Sequence, residues 1–367
     1  MQIIKAEAIP VRIPLKRPFT IAVGSLTHSN HVLVRLVDEE GREGWGETST
    51  FLEVYGYDQK ALYEALSRHL LPAVVGLSLG DFAALNQRLD RVMPFNLMAK
   101  AGVDLAAHDL ASKAAGLPLS IFLGGRRMEQ VPMIGAVDMV PPGEAAAMAR
   151  DLLSQGHATL KVKIGRDPGQ DLARVAAVRE AAGDGLSLRV DGNASYDRRT
   201  ALKVFSAMDH MGLEWIEQPL PAWDLEGHAE LARRLATPIA LDESIYTLHD
   251  AMAAIKLGAC SVVNVKLVRC GGVYRSRQIV SVCQAAGVVC FLGGVLETTP
   301  GEAAGAHFYA ATPNLVSAAE FRGVDHYLDD ISAAPLPWQD GCLTVPSRPG
   351  LGVEVDPEKL ARYRVSW

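Results

Sequence analysis

From Val131 onward the chain alternates short apolar runs with stretches whose apolar side chains fall at three- and four-residue steps. The runs read VPMIGAV, TLKVKIG, LSLRVDG, LEWIEQP, PIALDES, SVVNVKL, VVCFLGG and LVSAAEF. Between them Leu172, Val175 and Ala176, then Leu202, Phe205 and Met208, then Leu248, Met252 and Ile255 each trace one helix face. Asp167 before Pro168 marks a helix start, since the carboxylate can accept from orphan N–H groups and proline tolerates the first helical position. Strand–helix alternation over eight runs predicts a parallel α/β barrel. An open doubly wound sheet is the alternative; it usually carries a glycine-rich phosphate turn, and neither G-x-G-x-x-G nor G-x-x-x-x-G-K-[ST] occurs.

The pattern before Val131 is different. KAEAIPVRI and HVLVRLVDEEGREGWGE read as strands, the second turning at Glu39, Glu40 and Gly41, and helical periods follow from Gln59 to Ala115. This predicts an α+β domain over residues 1–125, a barrel over 126–324, and a segment 325–367 in which GCLTVPSRPGLGVEVDPEKL reads as a hairpin returning to the first domain.

Composition narrows the function. Apolar residues make up 49% and charged residues 21% of 367, an ordinary globular balance, and the net charge of −6 argues against nucleic acid or an anionic membrane as partner. No apolar run is long enough to span a membrane, and the N-terminus alternates like a strand rather than a signal peptide. Cys260, Cys270, Cys283, Cys290 and Cys342 are odd in number and lack C-x-x-C spacing, which points to free thiols and a cytoplasmic protein.

The candidate chemistry lies at the ends of consecutive strands. Asp191 in RVDGN, Glu217 in WIEQP and Asp242 in ALDES are 26 and 25 residues apart, about one strand–helix repeat each, so the barrel returns all three to one rim. Three carboxylates brought together repel unless a cation neutralises them, and hard oxygen donors without His or Cys favour Mg²⁺ over Zn²⁺, with Mn²⁺ as a substitute. Strand-end acids also cap helices, which accounts for Asp191 or Asp242 singly but not for the series. Lys163 lies one repeat before the acids and Lys266 one repeat after, on strands facing each other across a barrel. In ATLKVKIGRD, Lys161 shares a face with Lys163, and a second ammonium disfavours the charged form of its neighbour. The expectation is a proton-transferring lysine on each side of a metal-held carboxylate; the plainer reading makes the lysines counter-ions to excess acid.

Taken as a set, Lys161-Val162-Lys163, Asp191-Gly192-Asn193, Glu217-Gln218-Pro219, Asp242-Glu243-Ser244, Asn264-Val265-Lys266 and Gly293-Gly294-Val295-Leu296-Glu297-Thr298 resemble the enolase superfamily, specifically its muconate lactonizing enzyme subgroup. The resemblance implies a modified (β/α)7β TIM barrel under an N-terminal α+β capping domain completed by the C-terminal segment. It also implies Mg²⁺ on Asp191, Glu217 and Asp242, an acid/base pair in Lys163 and Lys266, and Asn193 and Glu243 supporting the ligands, with a homo-oligomer as the assembly. Glu297 would line the rim, and the capping loops would bring Phe19, Val23, His28, Phe51 and Tyr55 to the substrate. The Asp-x-Asp that dipeptide epimerases of the subgroup carry after the last strand is not evident in AAEFRGVDHY.

The leading expectation for function is proton abstraction α to a small carboxylate substrate through an enediolate, giving racemisation or epimerisation of an amino-acid derivative. Cycloisomerisation of a muconate-like diacid, or a lyase reaction such as dehydration or o-succinylbenzoate formation, uses the same parts. A barrel without catalysis, serving as a binding protein, would normally have lost a ligand or a base, and all five principal positions are filled.

Overall fold

The structure, a computed structural model, describes residues 1–21 and 24–367. Val23, one of the expected lid residues, lies outside the described residues. The chain opens with an antiparallel sheet, β1 (Ile3–Ile21), β2 (Gly24–Asp38) and β3 (Glu43–Thr50), in the order β1-β2-β3. Val32, Leu33, Val34 and Leu36 on β2 are all fully buried, so this sheet is covered on both faces. Val32, Val34 and Leu36 pack with Leu66, Leu89 and Val103 of the helices that follow. Leu33 packs with Ile9, Val11 and Ile13 against Tyr327 and Ile331 from beyond the barrel.

That second face explains where the C-terminal segment goes. Val365 N–H donates to Pro10 carbonyl at 2.8 Å, and the helix Pro357–Tyr363 brings Leu360 and Tyr363 to the same cluster. The hairpin expected within residues 341–360 does not form: β13 (Cys342–Thr344) pairs instead with the preceding β12 (Trp338–Gln339) and, on its other side, with β4 (Gln130–Pro132), just ahead of the first barrel strand, and the chain beyond crosses to the capping sheet.

The GWGE stretch on β3 is shaped by close packing. The helix Leu97–Ala114 lies directly on it: a Cβ at Gly46 would sit 2.1 Å from Gly102 carbonyl oxygen, and one at Gly44 2.4 Å from that of Ala106. Only glycine lets the two backbones approach so far.

The barrel strands are β5 (Gly135–Val137), β6 (Thr159–Lys163), β7 (Ser187–Asp191), β8 (Leu213–Glu217), β9 (Ile239–Leu241), β10 (Val262–Val265) and β11 (Val289–Leu292), all parallel and adjacent in chain order. The eighth run, LVSAAEF, closes the cylinder by backbone bridges on both sides. Glu320 N–H donates to Leu292 carbonyl at 2.8 Å, and Ile134 N–H donates to Ala319 carbonyl at 2.9 Å. Asp167 caps its helix as the sequence predicts, accepting from Gln170 N–H at 2.9 Å.

A layer of large side chains fills the lower barrel. The fully buried guanidinium of Arg189 lies 3.8 Å above the Trp215 ring, with Phe291 beside it, donates to Ala318 carbonyl at 2.9 Å, and is neutralised by Glu214 at 2.8 Å. With that end packed, the open space lies at the carboxyl ends of the strands.

Candidate active site

Adjacent parallel strands put the predicted residues in lateral register. Lys163 is opposite Asp191, and Asp191 is opposite Glu217. Glu217 pairs with Ala240, so Asp242, two residues on, points from the same face of the next strand. The turns leaving these strands are tight. Gln218 has φ 34° and Asn193 φ 41°, left-handed values uncommon for residues with a Cβ and found where a site holds its backbone under strain. The Gln218 side chain locks two strand ends together, its Oε1 accepting from Asp242 N–H at 2.9 Å and its Nε2 donating to Ser244 Oγ at 2.8 Å.

All three acids are buried, and each meets a cation. Lys163 Nζ lies 2.6 Å from Asp191 Oδ2, and Lys161 Nζ lies 3.2 Å from the same oxygen and 3.1 Å from Glu217 Oε2. Lys266 Nζ lies 2.8 Å from Asp242 Oδ2, whose other oxygen is paired with Arg269. Glu320 completes the set on the Lys161 ammonium. The acids share a rim, but their oxygens turn onto ammonium groups. Among the described residues no three His, Cys, Asp or Glu side chains converge tightly enough to hold a metal as placed.

The electrostatics show what is still uncompensated. Burial alone would raise Asp191, but Lys163 and Lys161 outweigh it and hold the carboxyl well below its usual range. Burial would likewise raise Asp242, which Arg269 and Lys266 bring down to about 2. Glu217, between them, is pushed up to about 8 by burial, Lys161 opposing and the charges of Asp191 and Asp242 adding to the rise. Glu243 is raised to about 7 by burial and the same two acids. Lys161 and Lys266 remain cationic: burial disfavours their charge, but the surrounding carboxylates raise both well above the ordinary lysine value.

Five carboxylates, Asp191, Glu217, Asp242, Glu243 and Glu320, thus face four cations, Lys161, Lys163, Lys266 and Arg269. The donor set is all hard oxygen, burial and mutual repulsion hold Glu217 and Glu243 above the usual carboxylate range, and Glu243 Oε2 is buried without a partner. These features suit a small divalent cation.

Asn193 and Glu243 sit where expected: Asn193 Oδ1 accepts from Lys163 Nζ at 3.3 Å, and its Nδ2 donates to Glu243 at 3.2 Å. A cavity of about 560 Å³ opens above the acids, a size typical of small-molecule sites, and Phe19, Phe51, Tyr55 and Glu297 line it together with Lys161, Lys163 and Lys266. Glu297 is raised to about 8 by burial and the nearby Glu47. His28 is a correction: it is exposed, sits 3.1 Å from Thr27 Oγ1 and does not line the cavity. Strand alternation is the reason, since the neighbouring Ser29 takes the inward position beside Tyr327.

Three participants take roles that the sequence reading did not assign, although it quoted Asn264 within a motif. Glu320 ends the eighth run as Asp191 and Glu217 end theirs, a usable signal. Asn264 lies two residues before Lys266, hence on the same face, and donates to Glu217 Oε1 at 2.9 Å. Arg269 reaches Asp242 from the short helix Leu267–Cys270, and nothing in its sequence neighbourhood announces that.

A barrel whose strand ends present carboxylates flanked by lysines under an α+β cap defines a class of proton-transfer enzymes. Residues 144–359 match the family model described as enolase C-terminal domain-like, and residues 3–124 match the mandelate racemase / muconate lactonizing enzyme N-terminal domain. The chain belongs to the enolase superfamily, in its muconate lactonizing enzyme-like subgroup. It is 33% identical to muconate cycloisomerase 1 of Rhodococcus opacus, over 99% of this chain and 98% of that protein. It is 35% identical to the N-succinylamino acid racemase of an Amycolatopsis species, over 98% and 97%. Its fold matches a dipeptide epimerase from Cytophaga hutchinsonii complexed with Mg and a dipeptide, with a TM-score of 0.94, 28% identity and 99% and 98% coverage. Its relatives are named as racemases, epimerases and cycloisomerases, and the protein is an isomerase of this superfamily.

Proposed function

We propose that the protein is a Mg²⁺-dependent isomerase that moves the α-proton of a carboxylate substrate and so racemises or epimerises an amino-acid derivative. The observation that carries this reading is the placement of two lysine ammonium groups in one cavity, Lys163 on Asp191 and Lys266 on Asp242, with the third acid, Glu217, between them. A divalent cation on Asp191, Glu217 and Asp242 would supply positive charge for the substrate carboxylate as its α-proton leaves.

The protein's own groups do the rest. One lysine, deprotonated, takes the proton from its side of the α-carbon, and the C–H electron pair moves into the carboxylate. The other, as an ammonium, returns a proton to the opposite side, and the configuration inverts. Lys161, kept cationic by Glu217, Glu320 and Asp191, holds those acids in place without itself being free to accept a proton. Phe19, Phe51 and Tyr55 cover the cavity and keep bulk water from the carbanionic species.

The test is α-proton exchange in D₂O. Wild-type protein with Mg²⁺ should incorporate deuterium at the α-carbon of its substrate, and Lys163→Ala and Lys266→Ala should each lose incorporation from one enantiomer. Exchange surviving in the double variant would overturn the reading. The 33% identity to a muconate cycloisomerase favours ring closure of a diacid as the second reading, and product analysis separates a lactone from an inverted stereocentre.

A further inference from the structure

Behind Lys163 lies a buried charged knot that the proton transfer does not use. It is built on the helix Pro168–Ala182, which follows β6 and carries Asp171 and Arg174 about one turn apart. Asp171 is fully buried, and Arg174 and Tyr196 are each only 5% exposed. Arg174 Nη1 lies 2.5 Å from Asp171 Oδ1, while Asp171 Oδ2 accepts from Gly165 N–H at 3.0 Å and from the Tyr196 hydroxyl at 2.7 Å. The same guanidinium donates from Nε to Val140 carbonyl at 2.6 Å and from Nη1 to Lys163 carbonyl at 3.4 Å. These contacts join the segments that leave β5, β6 and β7.

The sheet gives the reason for a cation here. Pairing of β5 with β6 ends at Val137 and Val162, one residue short of Lys163, whereas β6 and β7 stay paired through Lys163 and Asp191. Beyond that point Arg174 takes the Val140 and Lys163 carbonyls, where no pairing between these strands continues. A planar fork can hold two carbonyls and a carboxylate at once, which a lysine ammonium on its flexible stem does less well. Just past Lys163, Gly165 has φ +124°, and a Cβ there would sit 2.1 Å from Ser195 Oγ, so this backbone is also pressed against the loop after β7.

We propose that Asp171, Arg174 and Tyr196 are positioning residues for Lys163. They fix the backbone at the end of β6, and with it the approach of the Lys163 amine to the α-carbon. They do not serve Lys266, which follows β10 outside the knot. This inference rests on the α-proton transfer proposed above and adds that the two lysines are held in place independently.

The experiment uses Arg174→Lys, which keeps a charge for Asp171 but not the fork, and Tyr196→Phe, which removes one hydroxyl from a ring packed edge-on against Phe205. Initial rates of α-proton loss in D₂O with Mg²⁺ are measured separately from two probes, N-succinyl-L-valine and N-succinyl-D-valine. The enantiomer whose exchange Lys163→Ala abolishes defines the Lys163 side. On that side Arg174→Lys should lower kcat about ten- to a hundredfold with little change in KM, and Tyr196→Phe about three- to tenfold, while the Lys266 side stays within about twofold. A merely structural role would lower both sides together. Labelling of the amines by acetic anhydride, with Mg²⁺ present and no substrate, is the second readout: followed by mass spectrometry, the Lys163 rate should change several-fold relative to that of Lys266. If Arg174→Lys fails to fold, Tyr196→Phe carries both readouts. Equal loss from the two enantiomers, or an unmoved labelling ratio, overturns the positioning role while leaving proton transfer standing. Exchange of neither enantiomer by the wild type overturns the racemase reading, and the labelling ratio then decides by itself whether the knot holds Lys163.

Discussion

Glu47 is a buried carboxylate that ties the capping sheet to the barrel, and Glu47→Gln tests whether that tie is electrostatic. From β3 the side chain accepts from Thr298 N–H at 2.9 Å and Gly301 N–H at 3.1 Å, the orphan donors at the start of the helix Thr299–Ala311. His31 Nδ1 lies 2.7 Å from its Oε1 and adds a second attraction to the carboxylate. Both residues are fully buried. The amide keeps the shape and one acceptor oxygen, but loses the charge and turns an NH₂ toward donors. Breaking a buried charged constellation from one side costs about 3 kcal/mol. Burial by itself would raise Glu47, but attraction to His31 and donation from Thr298 bring it below the usual carboxylate range. A folded-state pKa that is depressed contributes stability above the unfolded value near 4.5, and that stability is lost as pH falls through the folded value. Urea unfolding followed by tryptophan fluorescence should therefore show the variant about 3 kcal/mol less stable at pH 7, with the gap narrowing below pH 4.5. A loss under about 1 kcal/mol at pH 7, or a gap independent of pH, would refute the electrostatic tie.

Further outcomes follow from the same structure. Gly46→Ala drives a Cβ to 2.1 Å from Gly102 carbonyl and should cost about 3 kcal/mol, whereas Gly41→Ala meets open space and should cost about 1 kcal/mol for its φ of +78° alone; thermal melts separate them. Glu297 is raised to about 8, so the native state holds a proton that the unfolded chain releases near pH 4.5. Wild-type stability should accordingly fall between pH 5 and 8, and Glu297→Gln should flatten that slope. Mg²⁺ at a hundredfold its Kd should stabilise the protein by about 2.7 kcal/mol, and Asp191→Asn should abolish the response in calorimetry and in the melt alike.

The rim was legible because a barrel converts sequence spacing into spatial convergence. Residues about 25 apart return to one edge, so Lys163, Asp191, Glu217, Asp242 and Lys266 could be named from repeat length and residue type. Charge compensation is not periodic, and there the sequence runs out. Arg269 enters from a four-residue helix, and its effect on Asp242 depends on a crossing that no spacing encodes. The lid was half legible for a related reason: aromatic type pointed to Phe19, Phe51 and Tyr55, but strand parity at a hairpin with a register shift between Pro14 and Phe19 decided that His28 faces outward. Lys161 shows the limit most directly. Alternation correctly put its ammonium beside that of Lys163, and both reach the same Asp191 oxygen. What alternation could not supply was Glu320, from the run that closes the barrel more than 150 residues later in the chain, whose charge with those of Glu217 and Asp191 keeps Lys161 cationic. The strand that closes the barrel therefore also completes the charge balance of the site, which is why a substitution at Glu320 should disturb Lys161 and the acids it holds before it disturbs the fold.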